Sequence, residues 1–162
     1  GEMEKVFLLL GTNLGDRAAN LSSARNLIAF RAGQIMATSA IYETAPWGKI
    51  DQPGFLNQCI EILTMHAPEE LLRILQKIEK EIGRETTEKW GPRLIDIDIL
   101  FYGDRSITLE QLTIPHPYLH QRRFTLLPLA EIATNIKHPV LNKTVKQLLK
   151  ACDDNSDVQR YN

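Results

Sequence analysis

Two carboxylates inside an apolar run, Asp96 and Asp98 in Leu94-Ile95-Asp96-Ile97-Asp98-Ile99-Leu100-Phe101-Tyr102, are the residues of this chain best placed to do chemistry. The surrounding β-branched, aliphatic and aromatic residues, bounded by Pro92 and Gly103, read as a strand. Side chains alternate along a strand, so Ile95, Ile97, Ile99 and Phe101 are expected on one face and Asp96, Asp98 and Leu100 on the other. Both carboxylates then point the same way, about 7 Å apart at the backbone. An ionised carboxylate in apolar surroundings costs several kcal/mol or is driven neutral, and a like charge beside it worsens the problem. A hard divalent cation relieves it. Mg²⁺ takes one or two protein carboxylates, keeps some water and fills its octahedron with substrate phosphate. The bland alternative is the solvated face of an edge strand; aliphatics on both sides, with Arg93 close by, favour the metal.

A second polar cluster lies in Pro115-His116-Pro117-Tyr118-Leu119-His120-Gln121-Arg122-Arg123-Phe124. His116 and His120 are four apart, but the two prolines break a regular helix across them and no Glu follows the first His, so zinc-hydrolase ligation is the minority reading. Two His and two Arg beside a Mg²⁺ strand suit a polyphosphate: Arg forks onto phosphate oxygens and His donates at modest desolvation cost. Two loops could close over such a ligand. Glu43 to Gly54, with two prolines, two glycines and Trp47, is too long for a tight hairpin and reads as a substrate-binding loop, or else as a structural cap. Arg84 to Lys89 is polar and aperiodic, feeds into Trp90, and is a candidate lid.

These segments need a scaffold. Val6 to Leu10 is a short apolar run read as a buried central strand ending at Gly11. The turn after it contains neither G-x-x-x-x-G-K-[ST] nor G-x-G-x-x-G, so phosphate must be held elsewhere. Asp16 is an expected N-cap for a helix carrying Leu21, Ala24, Leu27 and Ile28 and stopping at Gly33. Ile35 to Tyr42 and Phe55 to Met65 read as strands. Pro68, followed by Glu69 and Glu70, opens a helix with a buried stripe of Leu71, Leu75, Ile78 and Ile82, ended by Gly83. Gln76 and Glu79, three apart on an adjacent face, can reach one ligand, though spacing alone would leave them ordinary surface residues. A short strand is expected around Ser106 to Leu109, core helices over 124–133 and 144–152, and a frayed tail from Asp153. The order strand, helix, strand, strand, helix, strand implies an α+β, ferredoxin-like antiparallel sheet with both helices on one face and extra C-terminal helices beyond it.

Composition narrows the classes. At 162 residues and 43% hydrophobic, the chain is expected to form a single domain over 1–162. Nineteen Lys plus Arg against twenty Asp plus Glu leave a net charge of -1, without the basic excess that nucleic acid selects. No apolar run is long enough for a membrane span or a signal peptide core. Cys59 and Cys152 are far apart and read as reduced thiols, so a cytoplasmic location is expected, as a monomer with self-association left open. Gly1 and Glu2 before Met3 read as a cloning remnant.

Together these motifs resemble the 6-hydroxymethyl-7,8-dihydropterin pyrophosphokinases of folate synthesis. The likeness runs from Gly11-Thr12-Asn13 to Pro128-Leu129-Ala130-Glu131-Ile132-Ala133 and is most specific at Trp90-Gly91-Pro92-Arg93-Leu94-Ile95-Asp96-Ile97-Asp98. Asp51-Gln52-Pro53 with Phe55-Leu56-Asn57, and Pro115-His116 with Arg122-Arg123-Phe124, support it. The resemblance implies transfer of the β,γ-diphosphate of ATP to the hydroxymethyl oxygen of a reduced pterin, with release of AMP. It implies two Mg²⁺ on Asp96 and Asp98, and an ATP site of Gln76, Glu79, Arg84, Trp90, Arg93, Ile99, Thr113, His116 and Arg122. Of these, Arg84, Arg93 and His116 join the two aspartates as catalytic candidates. For the pterin it implies a sandwich of Phe55 and Phe124, with Asn57 and the backbone of Thr44, Ala45 and Trp47 reading the ring edge. Thr86 and Gln111 stand where the family pattern has arginines, and Phe55 where some members have Tyr.

Overall fold

The computed structural model describes residues 2–46, 53–83 and 94–162. Strand β1 (Glu4–Thr12) lies inside the sheet, and its run from Val6 onward is buried on both faces. Helix α1 (Arg17–Arg31) follows, its first turn capped by the Asp16 carboxylate, which accepts the Ala19 N–H at 3.1 Å. Gly33 then returns the chain to the sheet so closely that a Cβ there would collide with the Leu63 carbonyl oxygen. Strands β2 (Gln34–Thr38) and β3 (Tyr42–Thr44) both pair with β4 (Phe55–Thr64). Glu43 and Thr44, expected in the long loop, are therefore strand residues. They stand opposite Leu56 and Phe55 of β4.

Helix α2 (Pro68–Gly83) buries Leu71, Leu75, Ile78 and Ile82, the stripe that its periodicity predicts. The chain re-enters the sheet as β5 (Asp96–Tyr102), antiparallel to β1. A short hairpin of β6 (Ile107–Thr108) and β7 (Thr113–Ile114) precedes helices α3 (Arg123–Ala133) and α4 (Val145–Ala151). Strand β8 (Val158–Arg160) ends the chain's regular structure by pairing with β3. The tail expected to fray is thus part of the sheet. Strand order is β5-β1-β4-β3-β8, with β2 also on β4 and every pairing antiparallel, the α+β arrangement expected from the element order.

Two cores result. Leu8, Leu10, Ile60, Ile97 and Ile99 pack under α1 and α2; Phe7, Cys59, Leu100 and Phe101 pack under α3 and α4. Phe101 departs from the expected alternation. The β1–β5 register shifts between Phe7 and Leu8, leaving Leu100 as an extra residue, so Phe101 turns to the opposite face from Ile99 and meets Phe7 edge-on at 6.3 Å. No described helix is long and apolar enough to cross a membrane.

Candidate active site

The second face of the sheet is only half covered. Beside the N-terminus of α3, a cavity of about 270 Å³ opens over the ends of β1, β3, β4 and β5, lined by Leu9, Gly11, Thr44, Phe55, Asn57, Asp96, Asp98, Arg122 and Phe124. Sheet register explains the grouping. Gly11 of β1 stands opposite Asp96 of β5 on one side and Asn57 of β4 on the other, while Leu9 stands opposite Asp98. Because β5 keeps its alternation up to Leu100, both aspartates face the cavity and Ile95, Ile97 and Ile99 face the helices. Thr44 pairs with Phe55 and brings β3 to the cavity edge.

The walls are aromatic and the floor is polar. Phe55 is 44% exposed, unusual for a strand aromatic, and Phe124 enters from the first turn of α3. The Arg122 guanidinium lies 5.7 Å from the Phe124 ring centroid and 5.1 Å from that of Tyr118, so two rings hold the cation at the cavity. Asn57 is buried, and the buried Thr44 hydroxyl has no hydrogen-bond partner among the described residues. A buried hydroxyl without a partner is costly, and a ligand edge in the cavity would relieve it.

His116 stands beside this set. Its backbone N–H donates to the Leu100 carbonyl at 3.1 Å, and its Nδ1 accepts the Tyr118 N–H at 3.2 Å. The neutral ring therefore keeps its hydrogen on Nε2, a donor. Burial pushes its pKa down, the Asp98 charge opposes this, and Arg122 adds to the depression. The imidazole is thus held toward the neutral form.

Seven candidates from the sequence share the main cavity: Thr44, Phe55, Asn57, Asp96, Asp98, Arg122 and Phe124. Thr113 and His116 instead line a second cavity of about 220 Å³, together with His120 and His138. Gln76 is exposed on α2, and Ile99 is buried in the helix-side core, leaving only its backbone for a ligand. The Glu79 carboxylate accepts the Ile97 N–H at 2.8 Å, tying α2 to the edge of β5. Ala45 is exposed, and its N–H already donates to the Asp157 carbonyl at 3.1 Å, so that amide is not available to a pterin edge. Gln111 reaches Glu69 at 3.5 Å on the surface. Trp47, Arg84, Thr86, Trp90 and Arg93 lie outside the described residues.

Leu9 and Gly11 were not among the candidates. Gly11 contributes by what it lacks: a Cβ there would meet Asn57 Oδ1 at 2.9 Å. Two carboxylates on one strand face, both acceptor-only and opening into a cavity that also holds a guanidinium, fit a hard cation shared with phosphate. Among the described residues no cluster of three His, Cys, Asp or Glu forms a closed metal cage.

A sequence model of the 7,8-dihydro-6-hydroxymethylpterin-pyrophosphokinase (HPPK) family matches residues 7–134. The 2-amino-4-hydroxy-6-hydroxymethyldihydropteridine pyrophosphokinase of Aquifex aeolicus is 43% identical over 146 residues, covering 90% of both chains. The protein of the same name from Bacillus subtilis is 44% identical over 133 residues, 82% of this chain and 80% of its own. Among solved structures, an HPPK-DHPS triple mutant of Plasmodium falciparum shares the fold, with TM-score 0.75 over 92% of this chain at 22% identity. This chain spans 43% of that larger one.

Proposed function

We infer the reaction from one premise: this chain belongs to the 7,8-dihydro-6-hydroxymethylpterin-pyrophosphokinase family and is a pyrophosphokinase of folate synthesis. On that premise we propose that residues 1–162 act as one pyrophosphokinase domain. It moves the β,γ-diphosphate of ATP to the hydroxymethyl oxygen of 6-hydroxymethyl-7,8-dihydropterin. The pterin oxygen bonds to the β-phosphorus as the bond from that phosphorus to the α,β-bridging oxygen breaks; AMP leaves and the hydroxyl proton is lost.

One observation carries this reading. A single cavity joins two aromatic rings, Phe55 and Phe124, to two carboxylates, Asp96 and Asp98. The rings suit a planar heterocycle, each stacked pair adding about 0.5–1.5 kcal/mol beyond apolar burial. Asn57 and the Thr44 hydroxyl supply hydrogen-bonding groups for its edge. Asp96 and Asp98 would hold two Mg²⁺, which would supply charge neutralisation for the ATP phosphates during transfer. Arg122 adds a fixed guanidinium at the same opening, and Arg84 and Arg93 are assigned the same task. His116, held toward neutrality with hydrogen on Nε2, donates to a phosphate oxygen without adding a proton to the site. Gln76, Glu79, Trp90, Ile99 and Thr113 complete the proposed ATP site.

The test is AMP release from ATP and Mg²⁺, with and without the pterin, on wild type and Asp98→Ala. Pterin-dependent AMP that disappears in the variant is the expected result. ADP in place of AMP would reduce the protein to an ordinary kinase. No turnover alongside tight ligand binding would make it a binding module.

A further inference from the structure

The C-terminal residues touch the start of α3, next to Phe124, and strand β3, which pairs with Phe55. Helix α3 lacks a cap of its own: the Arg122 side chain makes no cap hydrogen bond, and no acidic residue stands in the first turn. First-turn amides have no partner within a helix and favour negative charge. Here the partner comes from 31 residues away, where Asp154 Oδ2 accepts the Arg123 N–H at 2.9 Å. The other carboxylate oxygen accepts both the N–H and the hydroxyl of Ser156, which fixes the group's orientation. Those same bonds hold the Asp154 carboxyl below the ordinary carboxylate range, so it stays charged near neutral pH.

The chain then crosses to the opposite wall. The Asp157 carbonyl accepts the Ala45 N–H, β8 pairs with Tyr42, Glu43 and Thr44, and the Tyr161 N–H donates to the Ile41 carbonyl at 2.9 Å. Two side-chain ties reinforce the span. Glu131 of α3 accepts the Ala40 N–H at 2.9 Å and the Tyr42 hydroxyl at 2.7 Å, and lies 3.4 Å from the Arg160 guanidinium. Arg17 sits 5.3 Å over the Tyr161 ring while bonding Glu43 at 2.6 Å and the Gly54 carbonyl, one residue before Phe55, at 2.7 Å.

We propose that residues 154–161 form a strap that sets the distance between the two aromatic walls of the cavity, with Asp154 as its positioning residue. By capping α3 it fixes Arg122 and Phe124 relative to Thr44 and Phe55. The strap's effect on substrate rests on the reading of this cavity as the pterin site; its effect on the walls does not.

Two measurements on full-length protein separate these. The first is the dissociation constant of 6-hydroxymethyl-7,8-dihydropterin, with steady-state kinetics, for wild type, Asp154→Ala and Asp154→Asn. Loss of the remote cap is expected to weaken pterin binding about fivefold in Asp154→Ala, with kcat at saturation within about twofold. Asn keeps one acceptor oxygen, enough for the Arg123 N–H or for the Ser156 donors but not for both, and is expected to restore only part of the loss. The second is amide hydrogen exchange, in which Asp154→Ala is expected to accelerate residues 123–126 and 44–45 together. Faster exchange confined to 153–157, with the dissociation constant unchanged, overturns the proposal. A wild type that does not bind the pterin refutes the functional reading alone, and the exchange comparison still decides the strap.

Discussion

On the face covered by α1 and α2, strands β1, β4 and β5 contribute Leu8, Leu10, Leu56, Ile60, Ile97 and Ile99, none more than 5% exposed. On the opposite face, one residue out of step, the same strands contribute Leu9, Gly11, Phe55, Asn57, Asp96 and Asp98. The backbone is common to both; only the parity differs. Helices α3 and α4 cover the half of this second face that carries Phe7, Cys59 and Phe101, and the uncovered half is the cavity. A rigid site can stand directly on the core because alternate residues of one strand serve each, so packing fixes the aspartates without burying them.

The comparison breaks most sharply on β5. Asp98→Ala is expected to cut turnover about 10³-fold while leaving the denaturation midpoint and pterin affinity nearly unchanged, since the carboxylate acts on charge developing during transfer. An equal loss of pterin affinity would remove Asp98 from the phosphate side. Its neighbour should behave in the opposite way. Ile97→Ala removes a buried side chain from the helix-side core and is expected to cost about 3 kcal/mol of stability, read by urea unfolding. Turnover per folded molecule should persist; a loss matching that of Asp98→Ala would mean that the two faces are not separable.

Gly11 sharpens the contrast on β1. Gly11→Ala places a methyl 2.9 Å from Asn57 Oδ1, and the amide must shift from its position at the cavity. Pterin affinity is expected to fall about tenfold, with a smaller change in ATP affinity, as read by titration of each ligand. Equal weakening of both would place Gly11 outside the pterin half.

These residues also mark what a reader of the sequence could see. Asp96 and Asp98 were legible because charge at period two inside an aliphatic strand has few explanations, and α2 was legible because its four buried residues recur at helical spacing. Gly11 was not, because its role depends on an Asn that only the β1–β4 register brings opposite. The bulge at Leu100 left no trace, since both neighbours are apolar and either face accepts Phe101. Strand β8 pairs through backbone groups with polar, exposed side chains, so Val158 to Arg160 carry no pattern to distinguish them from a tail.

The smallest expected effect tests whether the loop beyond the cavity is held as firmly as the strands. His138 is buried, its Nδ1 accepts the N–H groups of Val140 and Leu141 at 3.1 and 3.0 Å, and its ring meets that of Phe101 edge-on at 5.8 Å. Burial, and then the nearby His120, push its pKa below the ordinary 6.5. Protonation would set an N–H against two others. Below pH 6.5 the unfolded chain therefore binds more protons than the folded one, so this stability is complete above that value and is lost as the pH falls. The unfolding free energy read by urea titration should decline from pH 7 to pH 5 with a slope from this group of at most about 1.4 kcal/mol per pH unit. His138→Asn, which keeps an acceptor for the two amides but cannot titrate, should flatten that share and leave the part due to His116, whose pKa is depressed in the same direction. An unchanged slope would move the proton uptake away from His138. The loop between α3 and α4 would then be less tightly coupled to Phe101 than the site-bearing strands are to their core.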